Sequence, residues 1–88
     1  MFHFSEAIRN TKTSDGAVIL DIRRNRILAT NVVGATILEL MQSGREETQI
    51  AAEISRLYEI PMATAAADVL EFVRSLIECG ILLDIEGG

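Results

Sequence analysis

The spacing of apolar residues changes once along this 88-residue chain, near Asn31. Before that point the apolar residues alternate or form short runs, a pattern that is typical of β-strands. After it they recur every three or four positions, as in amphipathic helices. A chain whose strands all precede its helices is predicted to form an α+β fold, and 88 residues that are 49% hydrophobic are enough for one domain with a modest core. We therefore expect a single domain over residues 1–88.

Three strands are expected before Asn31, separated by two groups of turn residues. The strands cover the apolar segments 2–8, 17–20 and 27–29. Ser-Asp-Gly and Arg-Arg-Asn lie between them, and Asn25 readily adopts the left-handed conformation that a tight hairpin requires. The pattern predicts a three-stranded antiparallel meander.

Three helices are expected after Asn31, which is a good N-cap residue. Gly44 ends the first helix, Pro61 separates the second from the third, and Gly80 ends the third. The segment 81–88 is expected to add a short extended stretch over the core. The residues predicted to face the core are Val33, Ile37, Leu40, Met41, Ile50, Ile54, Leu57, Tyr58, Ala66, Val69, Val73, Leu76 and Ile77, with Leu70 and Phe72 on the two sides of this stripe.

Charge and composition argue against several classes of function. Thirteen acidic and eight basic residues give a net charge of −5, which repels nucleic-acid phosphates. The N-terminus has no basic and apolar signal segment, and no apolar run approaches the roughly 20 residues of a membrane span. We expect a cytoplasmic protein that binds neither nucleic acid nor membrane.

Residues that carry catalytic chemistry are scarce. His3 is the only histidine and has no partner for a metal site or a general base. Cys79 is the only cysteine and has no neighbouring histidine to activate it. No glycine-rich phosphate loop is present. We expect no catalytic, metal or cofactor site, and binding is the function that remains.

The strands and helices also match a winged helix-turn-helix whose hairpin has moved to the N-terminus. In that fold, arginines at the hairpin tip contact DNA, and Arg23, Arg24 and Arg26 lie at the predicted tip. The start of the third helix has no Arg, Lys, Asn or Gln to contact base edges. We therefore interpret the arginines as part of a solvated turn. Contact with acidic residues of a peptide or protein partner is an alternative role for them. DNA binding remains an alternative function of the protein.

The third strand, 26–30, is expected to lie at an edge of the sheet. An edge strand offers unpaired N–H and C=O groups to an extended peptide. The apolar stripe on the third helix is wider than a small core needs. These features favour peptide binding, and a homodimer formed edge to edge through this strand is the alternative.

The segments GAVILDIRRNRILATNVVGATILELM and AAEISRLYEIPMATAAADVLEFVRSLIECGIL resemble the PqqD family over residues 16–83. That family includes stand-alone recognition proteins of lasso-peptide and other modified-peptide pathways. The resemblance depends on Asn-x-x-Gly at 31–34, Tyr-x-x-Pro at 58–61 and ADVLEF at 67–72. The chain departs from the family pattern at Asn25, Glu46 and Met62, which affects local capping and turns.

The resemblance implies a non-catalytic protein that binds the leader of a ribosomally made precursor peptide and presents it to a modifying enzyme or leader peptidase. The leader is expected to add as a fourth strand beside the third strand, with side chains in the cleft next to the third helix. Asp68 is expected to accept a hydrogen bond from the leader or to cap the local backbone. The pathway stays open among lasso, radical-modified and quinone-cofactor products. The residues expected to contact the leader are Arg26, Ile27, Leu28, Ala29, Thr30, Asp68, Val69, Phe72 and Leu76, although the apolar ones on the helix are equally typical of a core.

Overall fold

The structure is a computed structural model that describes residues 3–6 and 8–83. It has the predicted α+β fold, in which a three-stranded antiparallel sheet precedes three helices. No helix among these residues is long and apolar enough to cross a membrane. In chain order the elements are β1 (His3–Phe4), β2 (Ile8–Thr13), β3 (Gly16–Asp21), β4 (Arg26–Thr30), α1 (Val32–Gln42), α2 (Glu47–Tyr58), α3 (Met62–Glu78) and β5 (Leu82–Leu83).

The main sheet has the strand order β2-β3-β4, and both predicted turns are confirmed. Residues 14 and 15 connect β2 to β3. In the second hairpin Asn25 has the expected left-handed backbone, with φ of 54°. The side chain of Asp21 stabilises this hairpin, because its Oδ1 accepts a hydrogen bond from the Arg24 N–H at 3.2 Å. The hairpin therefore holds β4 in a fixed register against β3.

The predicted position of the first strand is wrong. Strand β2 begins at Ile8 and runs to Thr13, whereas the segment before it forms the separate pair β1–β5. Strand β2 is mostly exposed and polar, so no apolar alternation marks it in the sequence. The predicted extended stretch after α3 is confirmed as far as Leu83, and residues 84–88 lie outside the described part of the chain.

The core lies between one face of the sheet and the helices. Strand β3 alternates, so that Ala17, Ile19 and Asp21 are buried while Leu20 is exposed on the opposite, outer face. The fully buried side chains that form the centre of the core are Ile19, Ile37, Leu38, Ile50, Ile54, Val69 and Leu76.

Two helix residues are not where the spacing predicts. Ala66 is exposed and its neighbour Ala65 is buried, because Ala65 lies four positions before Val69 and continues the stripe of Val69, Val73 and Leu76. Leu57 is 47% exposed, because it lies in the last turn of α2 at the margin of the apolar stripe. The predicted helix boundaries are confirmed, and Asn31 caps α1 through its Oδ1, which accepts from the Gly34 N–H at 2.8 Å.

Candidate functional site at the β4 edge

Strand β4 lies at an edge of the main sheet. One side of it pairs with β3, from Arg26 opposite Asp21 to Thr30 opposite Ala17. Within residues 3–6 and 8–83, no strand pairs with its other side. The backbone groups that point away from β3 are therefore available to an added strand, as the sequence predicts.

Two cavities lie along this edge, one between β4 and the segment that follows α3, and one between the end of β4, α1 and α3. The first, which we call the apolar cavity, has a volume of about 180 Å³ and lies at the Arg26 end. The second, which we call the acidic cavity, has a volume of about 310 Å³ and lies at the Thr30 end. The apolar cavity is lined by Ile19, Asp21, Arg26, Ile27, Leu28, Cys79 and Ile81. The acidic cavity is lined by Thr30, Asn31, Val33, Gly34, Ile37, Asp68, Glu71, Phe72 and Ser75.

Arginines of the hairpin connect β4 to the end of α3. Arg24 Nη1 and Arg26 Nη2 each donate a hydrogen bond of 3.0 Å to the backbone carbonyl of Cys79, the C-cap residue of α3. A helix C-terminus carries partial negative charge, which these guanidinium groups complement. Arg24 and Arg26 are exposed, as a solvated turn requires, but their hydrogen bonds to Cys79 were not predicted. Their hydrogen bonds hold α3 against the start of β4.

Gly80 makes this connection sterically possible. Its φ is +78°, a left-handed conformation that side chains rarely adopt, and a Cβ at this position would overlap the Arg24 guanidinium. The glycine predicted to end the third helix thus also leaves room for Arg24 beside the apolar cavity.

At the other end, β4, α1 and α3 meet around Gly34. A Cβ built on this residue would overlap Thr30 Oγ1 and would lie 3.1 Å from Phe72 Cε1. The absence of a side chain therefore lets the first turn of α1 lie against Thr30 and Phe72. This close packing forms the wall of the acidic cavity.

Five of the nine predicted contact residues line the cleft with side chains that face it. Leu28 lies opposite the core residue Ile19, so its half-buried side chain is on the helix-facing side of the sheet. Arg26, Thr30, Asp68 and Phe72 line one or other cavity.

The remaining four residues have different surroundings. Ile27 borders the apolar cavity but is 72% exposed, and Ala29 is also exposed on the outer face of the sheet. Val69 and Leu76 are 1% and 0% exposed, which makes them core residues with almost no surface of their own to offer a ligand.

The sequence interpretation omitted several cavity residues. Glu71 and Ser75 lie three and seven positions after Asp68, so helical spacing alone would have placed them on the same face. Cys79 and Ile81 follow the helix, and no local pattern signals their contact with β4. Only the folded arrangement brings them to the cleft.

The chemistry of the cleft is that of a binding surface. The side chains of Asp68 and Glu71 are exposed, and neither has a hydrogen bond or ion pair to another of the described residues. Within that part of the chain, no group of three His, Cys, Asp or Glu residues is arranged to hold a metal ion. The cleft offers strand-edge backbone groups, apolar surface and two carboxylates.

Comparison with known proteins agrees with this fold. No curated protein matches the chain. A solved lasso peptide synthetase B1 complexed with the leader peptide is 28% identical, with a TM-score of 0.86 over 93% of this chain and 96% of that one. TbiB1 in complex with the TbiA(beta) leader peptide shares the fold at 23% identity, with a TM-score of 0.85 over 92% and 94% of the two chains. The family model of Coenzyme PQQ synthesis protein D (PqqD) matches residues 16–82, and the chain therefore belongs to the PqqD family.

Proposed function

We propose that this chain binds the leader segment of a ribosomally made precursor peptide along the β4 edge. The observation that carries the proposal is an edge strand of five residues beside a cleft with a cavity at each end. Two solved proteins of the same fold are complexes with leader peptides, which supports a peptide as the ligand.

The leader pairs with β4 as an added strand. Backbone hydrogen bonds set its register, and alternate leader side chains enter the cleft. Leu28 and Thr30 point to the cleft two positions apart, which corresponds to about 7 Å along a strand. Leader residues with the same alternation therefore reach the apolar cavity and the acidic cavity.

The opposite edge of the sheet, β2, is a poorer template. Five of its six residues are exposed, and its side chains are mostly polar. On this side Lys12 bonds to Glu39 at 3.1 Å, and Gln42 donates to Asn10 at 2.9 Å, so α1 already bonds to this strand. Strand addition takes its specificity from pockets for alternate side chains, and the two larger of the described cavities lie beside β4.

Side chains around the cleft select the leader sequence. Leu28 favours an apolar leader residue in the apolar cavity, because burial of apolar surface is favourable there. Phe72 is half-buried at the border of the acidic cavity and offers an aromatic contact. The carboxylate of Asp68 accepts a hydrogen bond from the leader, since no other described residue bonds to that carboxylate.

We infer that the chain performs no chemistry and acts as one domain over residues 1–88. Its partners are then the leader and the enzyme that modifies or cleaves the precursor, which we call the processing enzyme. The cytoplasmic location expected from the sequence stays a prediction. DNA binding is disfavoured, because Arg24 and Arg26 already bond to the end of α3.

Calorimetric titration with the synthetic leader of the cognate precursor tests this function. Phe72→Ala and Leu28→Asp are each expected to weaken binding by about tenfold or more, because each removes apolar contact at the cleft. Leu57→Ala, at an exposed position of α2, is the matched control and is expected to bind as the wild type does. Thermal unfolding verifies that the variants fold. Equal affinity for all four proteins, or no binding by the wild type, would contradict the proposal.

The exposed β4 edge also supports a second candidate function, self-association of two copies edge to edge. Sedimentation velocity with and without the leader separates the two. If the edge serves the leader, the chain stays monomeric at micromolar concentration. If it serves a second copy, dimers form and the leader dissociates them.

A further inference from the structure

The β3–β4 hairpin concentrates positive charge at one end of the cleft. Three of the chain's eight basic residues, Arg23, Arg24 and Arg26, lie in this hairpin. Arg24 Nη1 and Arg26 Nη2 bond to the same carbonyl oxygen, that of Cys79, so two guanidinium groups lie side by side. We call these two residues the arginine pair. Although the chain as a whole has a net charge of −5, this end of the cleft is basic.

No carboxylate of the described residues forms an ion pair with the arginine pair. Asp21 is buried, and its Oδ1 accepts a hydrogen bond from the backbone N–H of Arg24 rather than from a guanidinium. Glu78 precedes Cys79 and is exposed. A guanidinium has several N–H donors, and each of the two gives one to the Cys79 carbonyl. Donors of both groups are therefore left for an anionic ligand.

Arg26 is also in line with the part of the cleft that takes leader side chains. It lies opposite Asp21 as Leu28 lies opposite Ile19, and both of these partners are buried on the inner face of the sheet. The side chain of Arg26 therefore leaves β4 on the cleft side, where it lines the apolar cavity. A strand added beside β4 places one cleft-facing residue next to Arg26 and another, two positions away, next to Leu28. Opposite charges at such cross-strand positions attract.

We propose that the leader has an aspartate or glutamate next to Arg26, and that its carboxylate binds the arginine pair. The leader residue two positions away, next to Leu28, is apolar. Antiparallel pairing is the commoner arrangement of neighbouring strands, and in it the leader reads apolar residue, any residue, acidic residue from its N-terminal side. The inference rests on the proposed function, because it requires a leader strand beside β4. It narrows the ligand from any extended peptide to this class of sequence.

The other end of the cleft has the opposite charge and fixes the order of the two leader residues. Asp68 and Glu71 line the acidic cavity beside Thr30 and form no ion pair with a described residue. Arg74, the one basic residue of α3, does not line this cavity. A leader with the reverse order, bound with its apolar residue next to Leu28, would bring its carboxylate to this end. Like charges would repel it there, so the reverse order is disfavoured.

Calorimetric titration with the synthetic leader of the cognate precursor tests the contact. Each aspartate of the leader is replaced in turn by asparagine and each glutamate by glutamine. One replacement, two positions from an apolar residue, is expected to weaken binding to the wild-type chain by about fivefold or more. The same replacement is expected to weaken binding to Arg26→Gln by less than about twofold, because that variant has already lost the contact.

This comparison separates recognition of charge from a structural role of Arg26. If Arg26 only held α3 against β4, Arg26→Gln would bind every leader more weakly by the same factor, and the effect of the replacement would stay at about fivefold. Arg45→Gln is the matched control, because Arg45 is exposed between α1 and α2 and lines neither cavity. It is expected to show the full effect of the replacement.

A leader variant with its acidic residue moved to the other side of the apolar one tests the order. We expect it to bind the wild type about fivefold more weakly than the natural leader does. Asp68→Asn/Glu71→Gln is expected to recover part of this loss, because it removes the repelling charges. Equal affinity for both orders would overturn the proposed order.

The outcomes distinguish this inference from the proposed function. A cognate leader without an acidic residue two positions from an apolar one would overturn the inference before any titration. If the wild type binds the leader and all its neutralised variants equally well, the arginine pair does not bind a leader carboxylate, while the proposed function stands. A replacement that weakens binding equally for the wild type and Arg26→Gln would also contradict the inference. If the wild type binds no leader, the proposed function itself fails.

Discussion

Gly34→Ala tests the packing that forms the acidic cavity. The added methyl group would overlap Thr30 Oγ1 and approach Phe72 Cε1 and Thr30 Cβ to 3.1 Å each. Thr30 is β-branched and belongs to β4, so it has little freedom to move aside. Overpacking of this kind costs about 1–3 kcal/mol, and the better helix propensity of alanine offsets up to about 1 kcal/mol of it. We expect a net loss of about 1–2 kcal/mol in the free energy of unfolding.

Thermal and urea unfolding measure this loss. For a domain of this size, 1 kcal/mol corresponds to about 4–8 °C in Tm, so a decrease of roughly 4–16 °C is expected. Thr30→Ala removes the hydroxyl group that the new methyl would overlap. The double variant Thr30→Ala/Gly34→Ala should therefore lose less stability than the sum of the two single variants, by about 1 kcal/mol. A Gly34→Ala variant as stable as the wild type, or single-variant losses that simply add, would refute the packing described around Gly34.

Three further predictions concern the ends of the helices and one surface ion pair. Asn31→Ala removes the cap of α1 and is expected to cost about 1 kcal/mol in urea unfolding, whereas Asn31→Ser should restore most of it. Arg24→Ala/Arg26→Ala removes both hydrogen bonds to the Cys79 carbonyl; we expect weaker leader binding by calorimetry, and unchanged affinity would show that the arginines do not shape the cleft. The hydrogen bond and charge of Arg56 lower the pKa of Glu53 below its ordinary value of 4.5. The ion pair therefore stabilises the fold above the ordinary pKa and loses its effect as the pH falls through the lowered one. An NMR titration in which Arg56→Gln leaves the Glu53 midpoint unchanged would contradict this assignment.

Much of the fold could be predicted from local sequence signals. Asn25 and Asp21 specify the β3–β4 hairpin, and Asn31, Pro61 and Gly80 mark helix boundaries. Strand β2 could not be located in the same way, because its exposed polar residues carry no apolar alternation. Its position follows from pairing with β3, which is a tertiary property.

The candidate site was predictable where one strand or one helix face supplies it. The edge position of β4 and the place of Phe72 beside the apolar stripe follow from local patterns, whereas Asp68 was expected at the cleft only from the resemblance to the PqqD family. Periodicity cannot separate core from cleft on a single helix, so it grouped Val69 and Leu76 with Phe72 although both are buried. The contacts of Arg24 and Arg26 with Cys79 span 55 and 53 positions and have no signal in the local sequence.

The account depends on addition of the leader to the free side of β4, and amide hydrogen exchange tests this directly. Exchange is measured by NMR for the wild-type chain, alone and saturated with the synthetic leader. The backbone N–H groups of Arg26–Thr30 that point away from β3 are predicted to gain protection on binding, because they then bond to the leader. The amides of the opposite edge, Ile8–Thr13, are predicted to exchange as before. Protection gained along Ile8–Thr13, or along neither edge while the leader is bound, would contradict the account.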